Sequence, residues 1–62
     1  EQAAINDRQF LKSMIPHHSG AILMCQEANL TDPEIKQLCV EIVKSQEQEI
    51  QQMKEKLSQL EK

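Results

Sequence analysis

Large aromatic side chains are almost missing from this sequence: there is one Phe and neither Trp nor Tyr in 62 residues. A chain this short buries only about 60% of its unfolded surface, so a core without big anchors is marginal. A partner subunit, a metal or a disulfide has to make up the difference. The missing aromatics also remove any platform for stacking single-stranded bases. A basic stripe is missing too, since seven Lys and Arg face ten Asp and Glu for a net charge of −3. Nucleic acid is therefore excluded as a partner. No long apolar run occurs: Ala21–Cys25 is the longest, far short of the roughly 20 residues of a spanning helix. No membrane insertion by this segment is expected. The opening Glu1-Gln2-Ala3-Ala4 has no cationic start and no apolar stretch, which is expected of a processed protein or an excised domain and does not place the chain in the cytosol.

Catalytic signatures are equally scarce. There is no Gly-rich phosphate loop, no nucleophile elbow and no Ser/His/Asp arrangement that helical spacing would assemble. A chain of 62 residues offers no evident substrate pocket, so the protein is not expected to be an enzyme. With one Gly and two Pro, turn chemistry is concentrated in a single break, Asn29-Leu30-Thr31-Asp32-Pro33-Glu34. Asp32 as N-cap with Pro33 in the first turn, or Thr31 with Glu34 as a capping box, starts a second helix there. One domain over residues 1–62 is expected, with helix 1 at about 4–29, bent near Pro16, and helix 2 at about 33–60.

What is abundant is helical periodicity. Asp7, Phe10, Met14, His17, Ala21, Met24 and Ala28 are spaced three and four apart, and so are Ile35, Cys39, Ile42, Gln46, Glu49, Met53 and Lys56. Such spacing marks an inward seam between helices packed at a shallow angle. A short loop makes the two helices antiparallel neighbours. Folding about Thr31-Asp32 sets Ala28 against Ile35, Met24 against Cys39, Ala21 against Ile42 and His17 against Gln46. Met14 then faces Glu49, Phe10 faces Met53, and Asp7 faces Lys56. A second apolar row flanks each seam: Leu11, Ile15, Ile22 and Cys25 on helix 1, Val43, Ile50 and Leu57 on helix 2. One hairpin cannot cover both rows. The expected architecture is all-α: an antiparallel hairpin that dimerises into a four-helix bundle, a symmetric homodimer being the commonest closed form.

At mid-hairpin the seam turns polar, with His17, Gln46 and Glu49 among Met14, Met24 and Met53. A carboxylate rarely goes inside unpaired, so Glu49 needs a partner, and His17 is the nearest across the hairpin. Two readings compete. In one, His17, Gln46 and Glu49 form a hydrogen-bond network that sets helix register. In the other they bind a metal: thioether plus imidazole is the donor set that selects copper, particularly Cu(I). Met14, His17 and Met24 would be the primary donors, with Gln46, Glu49 and Met53 from the facing helix. His18 diverges from His17 by about 100° and is expected to face the other subunit. Glu-x-x-His, the di-iron pattern of bundle enzymes, does not occur. Cys25 and Cys39 lie at matching levels near the turn. A disulfide over the 13 residues between them, worth about 3 kcal/mol, free core thiols and a soft metal site all remain open.

The pattern Asp7-x-x-Phe10-x-x-x-Met14-Ile15-Pro16-His17-His18-x-x-Ala21-Ile22-x-Met24, followed by Gln46-x-x-Glu49-Ile50-x-x-Met53, resembles the bacterial family called domain of unknown function 305. The resemblance implies a ferritin-like helical bundle, exported or membrane-anchored, with some members associated with copper binding and tolerance. The matching positions are Met14, His17, His18, Met24, Gln46, Glu49 and Met53. An extracytoplasmic location follows: periplasmic, secreted, or anchored through a segment outside this sequence. Two departures stand out. Cys25 and Cys39 replace small residues, which favours a paired role for the thiols, and the absence of Met- and His-rich extensions argues against high metal capacity. The favoured expectation is extracytoplasmic binding of copper. The alternative is a non-catalytic structural or dimerisation module with a buried His-Gln-Glu network.

Overall fold

The computed structural model describes residues 5–61. It contains two helices, α1 (Asp7–Glu27) and α2 (Pro33–Leu60), and no strand among the described residues. They form an antiparallel hairpin, closed at the turn by a Cys25–Cys39 disulfide and at the open end by Arg8 and Lys12 reaching Glu61.

The helix ends follow from side-chain chemistry. The Asn6 carboxamide oxygen accepts from the Gln9 amide at 2.8 Å, and the Asn6 amide donates back to the Gln9 side chain at 3.1 Å. This reciprocal box satisfies two otherwise orphaned donors and starts α1 at Asp7. Helix 1 was expected from about residue 4 to 29. Residue 4 lies outside the described residues, Ile5 and Asn6 precede the helix, and the chain turns extended at Ala28, whose amide closes the last turn on the Met24 carbonyl. For α2, the Asp32 side chain accepts from the amides of Glu34 and Ile35, with Pro33 in the first turn. Of the two start signals in the break, the Asp32 cap is the one used.

The rotation of α1 differs from the expected seam. The residues turned toward α2 are Leu11, Met14, Ile15, His18, Ala21, Ile22 and Cys25, while Phe10 is 53% and Met24 74% exposed. On α2 the inward residues are Cys39, Ile42, Val43, Gln46, Ile50, Met53 and Leu57. Each helix thus presents the boundary between its two apolar rows, and α1 is turned by about 70° at 100° per residue. The disulfide holds the Cys25 and Cys39 Cα atoms 5.5 Å apart, which aims Cys25 at α2. Leu11, Ile15, His18 and Ile22 turn inward with it, while Phe10, His17 and Met24 are exposed. The expected facing pairs change with it. Cys39 faces Cys25 instead of Met24, and the ions at the open end are Arg8, Lys12 and Glu61 instead of Asp7 and Lys56.

The hairpin has almost no core of its own. Among the described residues only Leu11, at 9% exposure, is buried. The accessible surface is 5290 Å², against about 4,100 Å² for a compact monomer of this mass. Its radius of gyration is 14.7 Å, where a compact chain of this length has about 10.6 Å.

Three outcomes follow. Reduction of the disulfide, or Cys39→Ser, is expected to remove about 3 kcal/mol of stability, read from denaturant midpoints with and without reductant. Asp32→Ala is expected to cost about 1 kcal/mol by the same assay, through loss of the α2 cap. The third concerns pH. Hydrogen bonds from Arg8 and then Lys12 hold the Glu61 carboxyl below its usual 4.5. A carboxyl that is more acidic in the folded chain stabilises it above the unfolded value, and the contribution disappears as pH falls through the folded one. An NMR titration of Glu61 should give a midpoint below 4.5, returning to the usual value in Arg8→Gln/Lys12→Gln.

Candidate functional site

His18 is the centre of the polar cluster. α1 runs unbroken through Pro16, although that residue has no amide to give to the Lys12 carbonyl. One turn on, side chains bond to carbonyls of the same stretch: Ser19 Oγ donates to Ile15 O at 3.1 Å, and His18 Nδ1 lies 2.9 Å from Met14 O. A carbonyl only accepts, so Nδ1 carries a proton and donates it. That bond fixes the ring and sends Nε2 across the hairpin, where it meets Glu49 Oε1 at 2.6 Å.

This pair corrects the sequence reading in two respects. The imidazole that faces Glu49 belongs to His18, not His17, and His18 faces the second helix of its own chain rather than another subunit. The cause is the rotation of α1: His18 lies seven residues from Cys25, on the row the disulfide aims at α2. His17 is exposed, its ring edge-on to that of His18 with centroids 6.4 Å apart. The dry setting expected for the carboxylate is also corrected. The His18 side chain is 12% exposed but that of Glu49 is 51% exposed, so solvent reaches one side of the pair in a single hairpin.

The donor inventory is then explicit. Both ring nitrogens of His18 face acceptors, the Met14 carbonyl and the Glu49 carboxylate. The imidazolium form of the ring has one N–H for each of them. The Nδ1 bond to a backbone carbonyl is also the one that orients a metal-binding histidine, while Nε2 here meets Glu49.

Of the other residues named from the sequence, Met14 and Met53 each lie one helical turn from the pair toward the open end, and Gln46 lies one turn toward the tip. All three are half-buried between the helices. His17 and Met24 are exposed on the outer side of α1 and are not brought to this cluster. No group of three or more His, Cys, Asp or Glu converges as a metal set among the described residues. Cys25 and Cys39 are tied to each other, which removes them as thiolate ligands and closes the alternatives of free thiols or a soft metal site. The Met14 carbonyl is the one participant the sequence reading lacked. The seven-residue step from His18 to Cys25 was the signal that could have placed His18 inward.

Comparison with known proteins adds family but no chemistry. A family model described as domain of unknown function (DUF305) matches residues 1–57. Over 54 residues the chain is 54% identical to the uncharacterized protein L153 of Acanthamoeba polyphaga mimivirus, a match covering 84% of this chain and 36% of that protein. The chain thus spans about a third of the length of that relative. No solved structure matches.

His18→Ala is expected to destabilise the hairpin by about 1–2 kcal/mol, through loss of one charge-assisted and one backbone bond. His17→Ala should stay within about 0.5 kcal/mol. Chemical denaturation of both variants checks the assignment of the inward imidazole.

Proposed function

The chain belongs to the family described as domain of unknown function (DUF305), a description that carries no activity, and from the geometry of His18 we propose that it binds a soft metal ion, copper as Cu(I). The observation that carries this reading is the bond from His18 Nδ1 to the Met14 carbonyl, which aims Nε2 at a second donor on the facing helix. Met14 and Met53 stand at equal height one turn away and supply thioethers. Imidazole with thioether favours Cu(I) over hard cations. His17, Met24 and Gln46, carried over from the family motif, stand outside the immediate pair. The reading is of a binding protein, not an enzyme. The ion would contribute a fixed link between α1 and α2.

Two further elements belong to the proposal. Two hairpins pair into a four-helix bundle, because a single one leaves about 1,200 Å² more surface in water than a compact chain of its mass. The location is extracytoplasmic, in keeping with a disulfide that persists in oxidising compartments. A structural or dimerisation module is the second reading. It is favoured by the fact that both His18 nitrogens already have partners, so the pair can set register with no ion present.

Competition with a colorimetric Cu(I) chelator separates the two. Copper binding predicts competition at micromolar chelator that is lost in His18→Ala and in Met14→Leu and kept in His17→Ala. No competition, or loss with His17→Ala alone, overturns this assignment.

A further inference from the structure

The two flanks of the hairpin are unlike. One carries Arg8, Lys12 and Glu61 at the open end. Near the tip the same flank has an open groove of about 380 Å³ bordered by Gln26, Lys36, Val40 and Val43 beside the disulfide. Counting 100° per residue, Phe10, His17 and Met24 lie about 160° around α1 from Arg8, Lys12 and Gln26, in one row of seven-residue steps. Leu38 and Glu49 lie about 160° or more around α2 from Val40. The second flank therefore gathers Phe10, His17 and Met24 with Leu38 and Glu49, every one of them exposed.

We infer that this second flank is where another copy of the chain docks, with a two-fold axis parallel to the hairpin, so that His17 of each copy meets the partner's Glu49. The inference rests on the pairing of hairpins proposed above and assigns its face and contacts. Area selects the occupant. Two separate hairpins expose twice 5290 Å², whereas a compact protein of twice the 7.2 kDa mass exposes about 6,800 Å². The difference, about 1,900 Å² per copy, is in the range of obligate dimers. Height and charge select the geometry. The His18–Glu49 bond puts His17 and Glu49 at one level, and the axis stacks α1 on the partner's α2 at equal heights. Met24, 74% exposed, then covers the partner's Leu38, 53% exposed. The alternative two-fold stacks α1 on α1, bringing His17 onto His17 and Glu49 onto Glu49, like groups against like. In the chosen pairing the solvent-facing side of Glu49 is covered and a second imidazole enters the polar cluster. Every neighbouring helix pair is antiparallel.

Sedimentation equilibrium of the metal-free, disulfide-bonded protein tests this independently of copper, with helicity by circular dichroism followed on the same samples. The native chain should have the mass of two chains. Met24→Glu should raise the dimer dissociation constant by tenfold or more, about 1.4 kcal/mol, and Leu23→Glu, on the far flank, should not. His17→Glu should weaken the pair while His17→Lys keeps or strengthens it. Weakening by His17→Lys would point to α1 on α1 and overturn the geometry. A dimer indifferent to Met24→Glu would overturn the face and leave pairing intact. A helical native monomer at millimolar concentration would overturn pairing itself. Where a variant loses helicity with its partner, the concentration dependence of its melting temperature reads the same dissociation.

Discussion

The disulfide between Cys25 and Cys39 decides how α1 is rotated, and the rest of the molecule depends on that rotation. Two helices with broad apolar stripes can pack through any part of them; a covalent tie with Cα atoms 5.5 Å apart removes that freedom at one end. From there the seven-residue step carries the constraint down the helix to His18 and then to Leu11, the one buried residue among those described. Were α1 turned back by a residue, His17 would face Glu49 and the Met14 carbonyl would have no imidazole to orient.

The hairpin needs that tie because it has so little else. Its inward residues are half-buried rather than buried, and its polar cluster is open on one side. Loop-closure entropy removed from the unfolded chain does not depend on how much surface the folded chain covers. A fold stabilised in this way can leave an apolar flank in water, whereas one stabilised by its own core cannot. The same shortage that makes the single hairpin marginal is what leaves surface available to a second copy.

Much of the architecture was legible in the sequence. Three-and-four spacing on either side of one break specifies two helices and an antiparallel hairpin, and Asp32-Pro33 marks the start of α2 by known capping chemistry. The rotation of α1 was not legible from periodicity, because Phe10/Met14/His17/Ala21 and Leu11/Ile15/His18/Ile22 are adjacent rows of similar apolar character. Periodicity measures the width of a stripe better than its centre. The candidate site was readable as a set of residue types, while its geometry depended on which of two neighbouring histidines turns inward. The Asn6–Gln9 box escaped notice because neither residue sits beside a Gly or Pro that would draw attention to a boundary.

The two ends of the hairpin are fastened by different chemistry, and they answer to different surroundings. At the tip the fastening is covalent and indifferent to ionic strength; at the mouth it is a pair of solvent-exposed cations on one carboxylate, which added salt screens. A thiol-rich medium would loosen the tip and leave the mouth closed, and a saline one would do the reverse.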